Sequence, residues 1–145
     1  DVSRDPRWGR IAECYGEDQY TNAVFCISAV DGYQGENLSD SYTVAACLKH
    51  FVGYGLSEGG RDYHFTEISD QALWDTYLVP YEAGIKAGAA TVMSSFNDIS
   101  GIPATAHRFL LTDVLKERWE WDGFVVSEWK AGDELHAQGG AADRC

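Results

Sequence analysis

Three short apolar runs constrain this chain more than any other feature: V-A-A-C-L at 44–48, A-T-V-M-S-S at 90–95 and F-V-V-S at 124–127. Each is nearly continuous rather than alternating. That is the pattern of parallel strands covered on both faces. The segments between them carry helical periods. Residues 17–32 place Tyr20, Val24, Ile27 and Val30 on one stripe, and residues 70–87 place Leu73, Tyr77, Tyr81 and Ile85 at steps of four. Ser69 is placed to cap that second helix, Pro80 to bend it and Gly88 to stop it. Residues 107–118 place Leu110, Leu111, Val114 and Leu115 on a third stripe. Helix and strand therefore alternate, which predicts an α/β fold with a parallel sheet. A closed (β/α)8 barrel needs about 250 residues, so 145 residues suit a partial, TIM-like barrel. An open doubly wound sheet fits the length better, but no G-x-G-x-x-G follows any strand to support its dinucleotide-binding form.

Charge removes several classes of partner. The formal net charge is −12, and so acidic a chain is a poor match for nucleic acid or anionic membranes. No run of about 18 apolar residues could form a spanning helix. Cys14, Cys26, Cys47 and Cys145 show no C-x-x-C spacing, which argues against a zinc knuckle. Cys26 and Cys47 are expected to be ordinary buried thiols. Asp98, His107, Asp113 and Glu117 match no standard metal spacing, and no metal or cofactor is expected.

Ligands of parallel α/β folds bind at the carboxyl ends of the strands. The first run leads into Lys49 and His50, the second includes Met93 and ends on Ser94, Ser95 and Asn97, and the third ends on Ser127, Glu128 and Trp129. Ahead of the first helix lie Arg4, Arg7 and Arg10. Cations and an imidazole can bind sugar hydroxyls, an indole can stack on the C–H face of the ring, and a strand-end carboxylate can attack an anomeric carbon. Each residue alone also has a plainer reading. Glu128 could pair with Lys49 or an arginine, His50 could be a satisfied structural residue, and Trp129 could be packing. The arginines could form an ion-pair network with Glu13, Glu17 and Asp18.

Taken in order, the motifs are D-V-S-R-D-P-R-W-G-R, G-E-D, K-H-F-V-G-Y-G, E-G-G-R-D-Y, M-S-S-F-N-D-I-S-G-I-P-A, L-L-T-D-V-L and D-G-F-V-V-S-E-W. In this order and spacing the chain resembles a β-glucosidase of glycoside hydrolase family 3 over essentially all its residues. The resemblance implies the central-to-C-terminal part of an amino-terminal barrel domain. The second, α/β sandwich domain would lie outside residues 1–145, and the piece alone is expected to be inert and prone to aggregation. It implies retaining cleavage of β-glucosides or β-xylosides, with secretion or a periplasmic location by analogy. Arg10, Lys49 and His50 resemble the residues that grip the sugar, Met93 and Ser95 the strand end lining the pocket, and Trp129 the indole at the sugar's edge. Glu128 stands where the family has the aspartate nucleophile.

Three departures qualify the resemblance. Glu128 is one methylene longer than aspartate, which moves the carboxylate by about 1 Å, and such a misplacement can cost about a hundredfold in rate. The alternative is therefore a non-catalytic sugar-binding relative. Phe96 stands where many relatives have tyrosine. Tyr54 stands where the hexosaminidase branch has a second histidine, so the acid/base group is expected from the second domain; Glu58 and Asp62 are the weaker candidates within this chain.

Overall fold

The computed structural model describes residues 1–137; Cys145 lies outside them. Pro6–Trp8 forms a single 3-10 turn capped by Asp5, and Ile11–Glu13 a second. Helix α1, Gln19–Gln34, is capped by Asp18, whose side chain accepts from the Thr21 amide at 2.8 Å. Strand β1, Cys47–Phe51, follows. The second helical region is in three pieces rather than one: α2, Asp70–Ala72; a π-helical turn, Leu73–Tyr77; and α3, Val79–Lys86. Ser69 caps α2 as its sequence position predicts. Pro80, which has no N–H to donate, sits in the first turn of α3 where none is needed. Strand β2, Thr91–Ser94, leads into a small hairpin of β3, Asp98–Ile99, and β4, Ile102–Pro103. A π-helical segment, Phe109–Arg118, then strand β5, Phe124–Val126, and α4, Ala131–Ala137, complete the described chain.

Strands β1, β2 and β5 form one parallel sheet in that order. Adjacent strands of the same sense joined by helices are the repeating unit of α/β barrels. Gln34 bolts this unit together: its Oε1 accepts from the Ala46 and Ala90 amides at 3.0 and 2.9 Å, and its Nε2 donates to the Gly88 carbonyl at 2.8 Å. The end of α1 is thereby fixed to the segments entering β1 and β2. The predicted stripe Leu73, Tyr77, Tyr81 and Ile85 is buried, as are Leu110, Val114 and Leu115. Most of the core lies between the sheet and these two helical regions.

Several expectations are corrected. Strand β1 begins at Cys47, not at residue 44, and runs through Lys49 and His50. Polar residues suit the end of a strand when they face a site, so charge did not mark its boundary. Cys47 is exposed and Cys26 only half-buried, because among the described residues β1 pairs on one side only. On α1, Val30 is buried as expected, but Tyr20, Val24 and Ile27 are exposed; Ala23 is buried instead, with Cys26 packed against the core. The small residues win because α1 and α3 approach closely: a Cβ on Gly84 would stand 2.8 Å from the Cys26 sulfur and 2.7 Å from a Leu48 methyl.

The loop after β1 is pressed onto the W-G-R segment. Gly60 has φ +69°, and a Cβ there would lie 2.6 Å from the Arg7 carbonyl carbon and 2.7 Å from the Trp8 nitrogen. Gly59 shares the left-handed conformation, at φ +67°, but its Cβ would approach only the flexible Arg61 side chain, at 3.4 Å. Gly60→Ala is expected to destabilise the fold by about 2–4 kcal/mol and Gly59→Ala by about 1 kcal/mol, because only the former adds a backbone clash to left-handed strain. Urea unfolding of the two variants checks the difference.

Candidate active site

The site is built outward from His50, which is fully buried in β1. Its backbone N–H and its ring Nδ1 both converge on Oδ2 of Asp1, at 3.1 and 2.7 Å. Its carbonyl accepts from the Tyr81 hydroxyl at 2.6 Å. Its Nε2 lies 2.9 Å from Nη2 of Arg10. A guanidinium can only donate and the Asp1 carboxylate can only accept, so for a neutral ring these two contacts place the hydrogen on Nδ1, against the pull of the Glu128 oxygen that also lies 2.9 Å from Nε2. Burial first, and the Arg10 cation second, push the His50 pKa down to about 4, which keeps the ring neutral near pH 7.

Arg10 is held by a fork. Its Nε and Nη2 reach the two oxygens of Glu13 at 2.6 and 2.9 Å, and Lys49 Nζ reaches the same carboxylate at 3.1 Å. The Arg10 hydrogen bond above all, with Lys49 assisting, holds Glu13 down to about 2. Two cations are therefore kept side by side by one anion. The Arg10 guanidinium also lies over the rings of Tyr54 and Trp8, at 5.2 and 5.8 Å. Tyr54 is fully buried, with edge contacts to His50, Trp8 and Phe96. It forms a wall of the site.

Glu128 follows β5 and comes across to this cluster. Its Oε2 lies 2.9 Å from His50 Nε2, and its side chain is 14% exposed. At neutral pH the contact is no ion pair, since the ring is uncharged and carries its hydrogen on Nδ1. Oε2 is buried without a hydrogen-bond partner among the described residues. An anionic oxygen is thus left uncommitted beside a cation and an imidazole lone pair.

The other sequence candidates fall into place differently. Met93 is half-buried near the end of β2, opposite Val126 in the register. Ser95 is buried and turned inward: its Oγ donates to the Val52 carbonyl at 3.4 Å and its amide to Phe51 at 3.1 Å. Trp129 is 73% exposed. The arginine network is only partly as predicted. Arg10 does pair with Glu13, but Arg7 pairs with Asp5 at 2.7 Å, Arg4 donates to the Glu17 carbonyl and Asp18 caps α1. Glu58 and Asp62 are exposed on the loop following β1. Asp1 was missed from sequence. Its one signal was its place at the head of the arginine motif. Among the described residues no cluster of three or more His, Cys, Asp or Glu side chains could hold a metal, and no helix is long and apolar enough to cross a membrane.

Geometry and comparison agree on the fold: a parallel arc of a TIM-barrel-like α/β domain, with polar groups gathered at the carboxyl ends of its strands. Residues 1–145 match the glycosyl hydrolase family 3 N terminal domain, and the chain belongs to that family. It is 44% identical over 143 residues to the periplasmic beta-glucosidase of Salmonella typhimurium, covering 99% of this chain and 19% of that protein. It is 37% identical to beta-D-xylosidase 1 of Arabidopsis thaliana, over 94% of this chain and 18% of that one. The crystal structure of beta-glucosidase from Listeria innocua in complex with glucose superposes with a TM-score of 0.95 at 43% identity, over 99% of this chain and 20% of that one. The chain thus spans about a fifth of the length of these relatives.

The depressed pKa of His50 has a consequence for stability. An unfolded chain takes up the proton near the ordinary 6.5, whereas the folded ring resists it to about 4. Its contribution is therefore complete above pH 6.5 and is lost as the pH falls toward 4. A His50→Gln variant is expected to melt below the parent at pH 7, with the gap narrowing down to pH 4. Thermal melts of the pair across that range check it.

Proposed function

We propose that this chain is the sugar-gripping part of a retaining β-glycosidase acting on β-glucosides or β-xylosides, working within a longer polypeptide. The observation that carries the reading is the uncommitted Oε2 of Glu128, within 2.9 Å of His50 Nε2 in the cluster that also holds Arg10 and Lys49. The names of the relatives, glucosidases and xylosidases alike, support the substrate class. The Salmonella relative's periplasmic name supports a periplasmic or secreted location.

In this reading Arg10 and Lys49 donate to sugar hydroxyls, and the Nε2 lone pair of His50, given up by Arg10, accepts from one. Trp129 covers the ring and Met93 shapes the rim, while Ser95, turned inward, braces the strand end behind it. The Glu128 carboxylate attacks the anomeric carbon as the glycosidic C–O bond breaks. The leaving oxygen takes its proton from an acid outside this chain, in a second domain of the same polypeptide. Water, deprotonated by that same group, then cleaves the glycosyl ester and frees Glu128. Two inversions restore the starting configuration. The electrostatics suit this order of events: the cations stabilise the carboxylate as a leaving group in the second step without neutralising Oε2 by a direct hydrogen bond.

One observation favours a second reading. The contact of Glu128 with His50 puts the longer side chain in the space between the strand ends, where a sugar would lie. A protein that binds sugar without cleaving it is the alternative.

The full-length polypeptide, incubated with an activated 2-fluoro β-glucoside, is expected to yield a glycosyl adduct on the peptide containing Glu128. Sugar binding with no adduct would establish the alternative. Glu128→Gln is expected to lower kcat by at least about a thousandfold. Lys49→Met is expected to lower kcat/KM by about ten- to a hundredfold, the range for losing a hydrogen bond from a charged donor. Steady-state kinetics on an aryl β-glucoside measure both.

A further inference from the structure

His50 must choose between two ring tautomers, and its neighbours make the choice. On one side the Asp1 side chain, 3% exposed, offers only acceptors, and its Oδ2 takes both the backbone and the Nδ1 hydrogens of His50. On the other, Nε2 meets Arg10, which only donates, and Glu128 Oε2, which only accepts, each at 2.9 Å, so the contact with Asp1 decides. Fold stability alone is a weak reason for an acid in this position. Oδ1 of Asp1 is buried with no hydrogen-bond partner among the described residues, and an unanswered buried carboxylate oxygen is costly. Removing Asp1 would leave Nδ1 with no acceptor named in the structure, and the hydrogen would be free to move to Nε2. There it would point at Arg10 and toward Glu128.

We infer that Asp1 is a positioning residue: it fixes His50 as the Nδ1–H tautomer and so presents Nε2 to the site as a hydrogen-bond acceptor. The function of this device rests on the sugar-site reading above. Arg10 and Lys49 can only donate and the Glu13 carboxylate is held between them, so without an accepting imidazole the acceptor left uncommitted would be Glu128 itself. A sugar hydroxyl donating to Glu128 would compete for the oxygen needed at the anomeric carbon. With Nε2 unprotonated, a hydroxyl that takes the place of the Arg10 hydrogen can donate to His50 while accepting from Arg10, and Glu128 stays free.

The test uses the full-length polypeptide with 15N-labelled histidine, the His50 signals being assigned by their loss in His50→Gln. Ring nitrogen shifts are expected to place the hydrogen on Nδ1 in the parent and in Asp1→Asn, whose amide oxygen can still accept, and to move it toward Nε2 in Asp1→Ala. The kcat/KM of Asp1→Ala is expected to fall about ten- to a hundredfold, by analogy with the residues that orient metal-ligating histidines, with Asp1→Asn losing less. A parent spectrum with the hydrogen on Nε2 would overturn the inference, and so would Asp1→Ala retaining it on Nδ1. The spectrum of the parent decides the matter even if Asp1→Ala does not fold. A parent that binds sugar without turnover would count against the glycosidase reading while leaving the tautomer result intact.

Discussion

A fully buried imidazole with no free polar edge is the constraint on which this site depends. Burial of His50 makes the charged ring costly, so the ring is neutral, and a neutral ring has one donor and one acceptor to satisfy. Asp1 answers the donor and Arg10 the acceptor. Arg10 in turn needs an anion, which Glu13 supplies, and the same anion draws in Lys49. Tyr81 closes the backbone of His50 from α3. One side chain thus links the segment before α1, strand β1, helix α3 and the end of β5. Glu128 meets this arrangement at Nε2, 2.9 Å away.

The scaffold explains why these groups can be held so closely. The parallel strands deliver their carboxyl ends to one edge, and Gln34 fixes the opposite edge by tying α1 to the segments entering β1 and β2. Gly60 lets the loop after β1 lie directly on the backbone of Arg7 and Trp8, so the segment carrying Arg10 is braced from above. Pinned at both edges, the cluster keeps distances near 2.9 Å through covalent and packing constraints that lie far from it.

The alternation of helix and strand was legible because continuous apolar runs and four-residue steps are one-dimensional signals. The stripe from Leu73 to Ile85 is buried as its spacing predicts. On α1 only Val30 is buried as its spacing predicts; Tyr20, Val24 and Ile27 are exposed because the close approach to Gly84 admits a small side chain such as Cys26. The start of β1 was misplaced because the apolar run opens at Val44, three residues ahead of the first pair with β2 at Cys47, and pairing then continues to Phe51. In the site, the residue types at the strand ends could be named in advance, and Arg10, Lys49, His50 and Glu128 do come together. What sequence could not supply was direction. Ser95 turns inward, Asp1 gains its importance only by meeting His50 across the fold, and the reach of Glu128 to an imidazole depends on where that ring already stands.

Of the five tryptophans in the sequence, Trp8 and Trp121 are buried, Trp74 and Trp119 are half-buried, and Trp129 stands in water. Indole emission shifts to longer wavelength with hydration, so Trp129 dominates the red edge of the chain's fluorescence spectrum, while the other four report the state of the core. The residue next to Glu128 is therefore spectrally separable from the rest of the molecule. The fold carries an optical probe one residue from Glu128, with no label added.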